Sequence, residues 1–225
     1  MPVLGIETSG RGGSIAVVSD GAVIAERQLP TTGRRHARLL VPELRDLLRG
    51  ANLTATQLKT VAVSIGPGSF TGLRVGVVCA KTLAYALQIP VVAVDTFLAI
   101  AEELPAEVRE VAILDDALRG ELFVGHYRRR DDGWEIERTP ALISAELWLA
   151  EQQARPLSTT GPGLTKWAET LRPHVPLLDT RSWEAQARAI ARLGEQQHHA
   201  GEHASLVELE PFYIRRSYAE ENAAS

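Results

Sequence analysis

Apolar residues in the first thirty positions come in short runs at 3–6, 14–18 and 23–29, after which the period changes. The runs read as a β-meander, with Ser19-Asp20-Gly21 supplying hairpin chemistry between the second and third and Gly10, Gly12 and Gly13 loosening the first turn. Past Thr31-Thr32-Gly33, the residues Ala37, Leu40, Val41, Leu44, Leu47 and Leu48 recur at helical spacing. They predict a helix over 35–48, which Pro42 bends or enters near its first turn. A β-branched strand is predicted at 61–65, a helix at 73–87 and, after Pro90, a strand at 91–94. Antiparallel opening strands followed by β-α-β units predict an α/β fold with a mixed sheet.

Glu102-Glu103-Leu104-Pro105-Ala106 marks a boundary, which gives a first lobe at 1–104 and a smaller second lobe at 105–225. Strands are predicted in the second lobe at 111–114, 122–127 and 134–138, with a charged hairpin turn at 128–133. From Ser182 the pattern is helical, and a polar break follows at 196–203. The last residues, 213–225, either pack back on the first lobe or stay mobile. No internal repeat is visible.

Composition narrows the classes. At 225 residues, and about 150 residues per domain, the chain holds one to two domains. With 45% hydrophobic and 23% charged residues it can bury a core, which excludes collagen, coiled-coil and low-complexity readings. The 24 Lys and Arg against 28 Asp and Glu leave a formal net charge of −4, so a strongly basic nucleic-acid footprint is absent. A local basic cluster remains at Arg34, Arg35, His36 and Arg38. Cys79 stands alone, which excludes an internal disulfide and a multi-cysteine zinc site. The start carries no basic-then-apolar leader, and no run reaches about 18 uncharged apolar residues, so a cytoplasmic protein without a membrane span is expected.

The sharpest motif is Gly66-Pro67-Gly68-Ser69-Phe70-Thr71-Gly72-Leu73-Arg74, a glycine-rich turn between strand and helix. Backbone N–H groups at such a helix start suit an anion. Yet a Walker A loop counted from Gly66 would need glycine and lysine where Thr71 and Gly72 stand, and Pro67 breaks the esterase elbow around Ser69. A tight structural turn, capped by Ser69 or Thr71, is the competing account. In the helix that follows, Arg74, Lys81 and Gln88 share one stripe and apolar residues fill the remainder, which calls for burial on nearly all sides. Either part of this helix meets another subunit, with Gly76, Ala80 and Ala84 permitting close approach, or it lies wholly inside its own domain.

Glu7, Thr8 and Ser9 place an acid and hydroxyls in a loop, as phosphate- and Mg-handling sites do, although by themselves they favour a solvated turn. Asp115, Asp116 and Glu121 crowd around Arg119, where an ion pair suffices. His199 and His203 stand four apart, as two metal ligands on a helix would, but the polar surroundings and Gly201 favour a solvated loop.

Taken in order, Ile6-Glu7-Thr8-Ser9, the segment from His36 to Leu40, the glycine turn through Gly76, Asp116-Ala117-Leu118-Arg119-Gly120-Glu121 and Pro211-Phe212-Tyr213-Ile214-Arg215 resemble the TsaB (YeaZ) family over nearly the whole chain. The resemblance implies a two-lobed actin-like, Hsp70-like and sugar-kinase-like fold with a reduced second lobe. It implies a non-catalytic scaffold in the formation of N6-threonylcarbamoyladenosine at position 37 of tRNA. The partners it implies are a TsaD-type transferase and a TsaE-type ATPase, with tRNA met through the complex and a homodimer when the chain is alone. No cofactor is implied for the isolated chain, ATP and Mg entering only through the partners. No metal is implied either, since Thr96 and Ile100 stand where the transferase carries its H-x-x-x-H ligands.

The resemblance assigns the interface to the first-lobe helices, with His36, Leu40, Leu44, Leu47, Leu73, Gly76, Val77, Ala80 and Ala84 as contact residues. Glu7, Thr8 and Ser9 become a vestigial phosphate site. Two departures stand out: Glu7 replaces the commoner Asp, and Leu118 replaces an Arg. An ATP-dependent phosphotransferase using Glu7 with Mg, and direct tRNA binding through the Arg34–Arg38 cluster, are the alternatives from other classes.

Overall fold

A computed structural model of the chain describes residues 1–30 and 36–214. In chain order the elements are β1 (Val3–Glu7), β2 (Ser14–Ser19), β3 (Ala22–Gln28), α1 (His36–Gly50), β4 (Thr60–Gly66), α2 (Phe70–Leu87), β5 (Val91–Asp95) and α3 (Thr96–Glu102). They continue as β6 (Glu110–Asp116), β7 (Glu121–Arg130), β8 (Gly133–Ser144), α4 (Ala145–Gln152), β9 (Thr159–Thr160), α5 (Leu164–Leu171) and α6 (Ala187–His199). The chain forms two compact units, one from Met1–Ala99 with Ala185–Phe212, the other centred on Ile100–Glu184. The division therefore falls at 99/100 rather than at 104/105, and α6 rejoins the first unit because its small-residue face fits that unit's sheet.

The first unit is built on a five-stranded sheet of order β3-β2-β1-β4-β5, in which β1, β2 and β3 are antiparallel neighbours and β1, β4 and β5 run parallel. Strand β1 is buried at every residue, so it reads as a continuous apolar run rather than an alternating one. Its even positions, Leu4 and Ile6, join Val61, Val63, Leu40, Leu44, Val77, Ala80 and Ala84 in one core. Its odd positions face α6: a Cβ on Gly5 would overlap the Ala187 carbonyl, and one on Gly194 would overlap the Ala62 side chain. Glycine is needed at both places because the helix lies directly on the backbone. Glu195, buried on α6, accepts the backbone N–H groups of Asp20 and Gly21 at 2.8 Å each, which fixes the β2–β3 turn.

The second unit carries a four-stranded sheet of order β8-β7-β6-β9, with β6–β7–β8 antiparallel and β9 parallel to β6. Helices α4 and α5 cover one face, where Trp148, Leu164 and Leu171 pack on Ala112, Leu114, Leu122 and Val124. The order repeats the first four strands of the first unit. In each case the strand parallel to the central one runs into a Gly-Pro-Gly turn and then a helix, at Gly66-Pro67-Gly68 after β4 and Gly161-Pro162-Gly163 after β9. The second hairpin is tighter than expected, since β7 and β8 extend until only Asp131 and Asp132 separate them. The polar break expected at 196–203 is also shorter, because α6 continues to His199.

Candidate functional site

The glycine turn and the loop after β1 are one structure. Ser69 caps α2 by accepting the Gly72 N–H at 3.3 Å, and its own N–H donates to the Ser9 carbonyl at 2.7 Å. Thr8 donates its hydroxyl to the Gly72 carbonyl at 2.8 Å. A Cβ on Gly68 would stand 2.6 Å from the Ser9 Cβ, one on Gly72 would overlap the Thr8 carbonyl oxygen, and one on Gly76 would overlap Thr8 Oγ1. Glycines at every fourth position thus make a strip down α2 that the chain's own Thr8 and Ser9 occupy. Gly76 belongs to this internal contact, and the Thr8 and Ser9 backbone lies directly against Gly68 and Gly72 at the helix start.

Glu7 sits behind that plug, 1% exposed. One carboxyl oxygen accepts the Ser9 N–H and hydroxyl; the other is fully buried near the Ser64 hydroxyl, and neither of those two atoms makes a hydrogen bond of good geometry. Burial pushes the carboxyl above its ordinary range, and hydrogen bonding from Ser9, then Ser64 and the Gly10 backbone, only partly opposes the shift. Glu7 is therefore a sealed acid. Burial likewise pushes the Cys79 thiol up to about 11, so it is not a nucleophile at neutral pH.

The interface residues expected on the helix pair need correction. Leu40, Leu44 and Leu47 on α1, with Leu73, Gly76, Val77, Ala80 and Ala84 on α2, are all buried in the first unit's own core. The apolar face that the wheel marks is the one that packs on the sheet. His36 opens α1, but its side chain lies outside the described residues, as do Arg34, Arg35 and the side chain of Arg38.

What α2 leaves exposed is a different stripe. Thr71, Arg74, Val78, Thr82 and Tyr85 recur on one face, with Val78 63% and Tyr85 78% exposed, and Val41 on α1 is 58% exposed. Large apolar side chains at that exposure on a helix otherwise in the core show that α2 does not lie wholly inside its domain. The polar Thr71, Arg74 and Thr82 were the available signal, because they mark which side of the wheel faces water. By length and mean hydropathy alone, 18 residues at 1.3, α2 is long and apolar enough to cross a membrane, although it is not an uncharged run. It carries Arg74 and Lys81 within it, and Lys81 Nζ donates to the carbonyls of Val207 and Leu209 at 3.2 and 3.1 Å.

The remaining candidates resolve as structural contacts. Asp116 accepts Lys166 Nζ at 2.9 Å and Trp167 Nε1 at 3.0 Å, so Lys166 and Trp167 are the partners that sequence reasoning missed there. Thr96 accepts the Gly66 N–H at 3.1 Å and so braces the glycine turn. Among the described residues, no group of three or more His, Cys, Asp or Glu side chains is placed to hold a metal ion.

Two units on a shared strand order, each with a Gly-Pro-Gly turn beside its central strand, define an actin-like, Hsp70-like and sugar-kinase-like α/β protein. A family model described as TsaD, tRNA N6-adenosine threonylcarbamoyltransferase, matches residues 28–170, and the chain belongs to that family, in its TsaB (YeaZ) branch. The tRNA threonylcarbamoyladenosine biosynthesis protein TsaB of Escherichia coli (strain K12) is 28% identical over 97% of this chain and 96% of its own length. That of Bacillus subtilis (strain 168) is 28% identical over 98% and 96%. YeaZ from Pseudomonas aeruginosa superposes with a TM-score of 0.78 at 26% identity, covering 94% of this chain and 99% of its own. A tRNA N6-adenosine threonylcarbamoyltransferase of Treponema pallidum subsp. pallidum is 32% identical over 42% of this chain and 31% of its own length.

Proposed function

We propose that the chain is a non-catalytic scaffold subunit in tRNA threonylcarbamoyladenosine biosynthesis, which binds and supports a TsaD-type transferase through the exposed face of α1 and α2. Full-length similarity to TsaB proteins supports the pathway. The observation that carries the docking role is the exposure of Val78 and Tyr85 on a helix whose opposite side is core. A TsaD-type partner is favoured because one family model covers both kinds of chain, so the partner brings a related helix pair to the contact.

The lack of a catalytic role is supported by the geometry around Glu7. A general base or Mg ligand must reach its substrate, whereas Glu7 is sealed behind Thr8 and Ser9. In this reading the chain binds no nucleotide itself; ATP and Mg arrive with the transferase and a TsaE-type ATPase, and tRNA meets the assembled complex. A homodimer of the isolated chain covers the same face until the transferase takes it. All of this takes place in the cytoplasm.

Size-exclusion chromatography with light scattering, on the chain, its cognate TsaD-type protein and their mixture, tests the proposal. Val78→Asp and Tyr85→Asp are expected to abolish the mixed species while leaving thermal unfolding nearly unchanged, because a charge at the packed centre of an interface is not tolerated. Undiminished association of both variants would refute this placement.

A further inference from the structure

Where α6 ends, two polar atoms meet at one nitrogen. Thr60 Oγ1 lies 2.6 Å from His198 Nδ1, and His203 Nε2 lies 3.2 Å from the same atom. Thr60 is fully buried on β4, His198 is half-buried and His203 is exposed. A bare Nδ1 accepts the Thr60 hydroxyl and the His203 N–H. A protonated Nδ1 donates to either neighbour, provided His203 Nε2 is bare. When both rings are charged, Nδ1–H can donate only to the Thr60 hydroxyl oxygen, and the two imidazole N–H groups face each other with no acceptor between the rings. The contact therefore closes with one proton and opens with two. The close approach of Thr60 to Nδ1 favours a proton device over a metal site, because the nitrogen already has a buried partner.

The contact sits at the root of the segment that follows α6 and returns over the first unit's sheet. Directly after His203, the Ala204 N–H donates to the Val91 carbonyl at 2.9 Å. Lys81 then grips the carbonyls of Val207 and Leu209, and the Phe212 N–H donates to the Ile65 carbonyl at 2.7 Å. Leu209 is buried, but Val207 is 89% exposed. We infer that Thr60, His198 and His203 form an acid-operated latch on residues 200–212, closed near neutral pH and released when both imidazoles are protonated.

The groups that act on His198 agree in sign. Burial, then the charges of His203 on the following turn and His199 on its own helix, hold the His198 ring below the usual range, while β4 presents only the uncharged Thr60 hydroxyl. A histidine with a depressed value contributes stability that is complete above about 6.5 and is lost as pH falls below it. Mild acid is thus the opening direction.

Amide hydrogen exchange on the full chain at pH 7.5 and 5.5, corrected for intrinsic rates, tests the latch. Protection at Ala204, Leu209 and Phe212 is expected to fall severalfold at pH 5.5 relative to pH 7.5. Protection at Ile190, inside α6, is expected to hold. His203→Gln keeps a neutral N–H donor and should remove the pH effect, whereas His199→Gln should retain it. Equal protection at the two pH values, an unchanged effect in His203→Gln, or a parallel loss at Ile190 would each overturn the inference.

Discussion

At pH 8 the Glu7→Gln chain is expected to unfold at a higher urea concentration than the parent, although the substitution removes a charge that accepts two bonds. The parent holds a carboxyl with one oxygen bonded to Ser9 and the other buried near Ser64 without a hydrogen bond of good geometry. Burial raises its pKa above the ordinary 4.5, so above that pH the native chain holds the proton more tightly than the unfolded chain does, and ionising the buried group costs stability. Stability from this group is therefore complete below about 4.5 and is lost as pH rises through the folded value. Glutamine cannot ionise, keeps the acceptor facing Ser9 and turns an N–H donor toward Ser64. Leaving one buried polar atom unsatisfied costs about 1–3 kcal/mol, and the gain at pH 8 should fall in that range. For a chain of this length that corresponds to about 2–4 °C per kcal/mol in the unfolding midpoint. Urea titrations of both chains from pH 4.5 to 8.5 should converge at the acid end and separate at the alkaline end. A variant less stable than the parent at pH 8, or a difference that does not change with pH, would refute the sealed-acid reasoning.

Gly72→Ala should destabilise by about 1–3 kcal/mol or more, because the added methyl overlaps the Thr8 carbonyl and neither backbone can yield; an unchanged thermal midpoint would contradict the closed loop. Cys79, with its thiol pushed up to about 11 by burial, should react with a disulfide reagent at pH 8 far more slowly in the native chain than in urea, as followed by absorbance.

The elements that depend on nearest neighbours were legible in the chain. The meander needs only three apolar runs and the Asp20-Gly21 turn, and the glycine-rich helix start at 66–72 announces itself. What was not legible depends on which atoms lie opposite. An apolar wheel identifies Leu73, Val77, Ala80 and Ala84 as a set, but cannot say whether the chain's own sheet or another chain covers them. Val78 and Tyr85 escape notice because apolar residues surround them in sequence, and only the three-dimensional packing shows them uncovered. The spacing of Gly68, Gly72 and Gly76 carries the closest contact of the first unit, yet its partner, the Thr8-Ser9 backbone, is some sixty residues away. The Asp116 partners, Lys166 and Trp167, are hidden for the same reason. Only local pairs such as Asp115 with Arg119 suggest themselves from proximity in the chain.

Gly-Pro-Gly follows the strand parallel to β1 in the first unit and the strand parallel to β6 in the second, so the two units present two copies of one arrangement. In the first copy the glycines draw the chain's own backbone over the acid at the mouth of the central strand, and Glu7 is entombed. In the second copy the corresponding end of the strand stays open enough for a lysine and a tryptophan to reach Asp116 from the next helix. The same arrangement thus ends in an acid twice and surrounds it in two ways, with main chain in one unit and a lysine in the other.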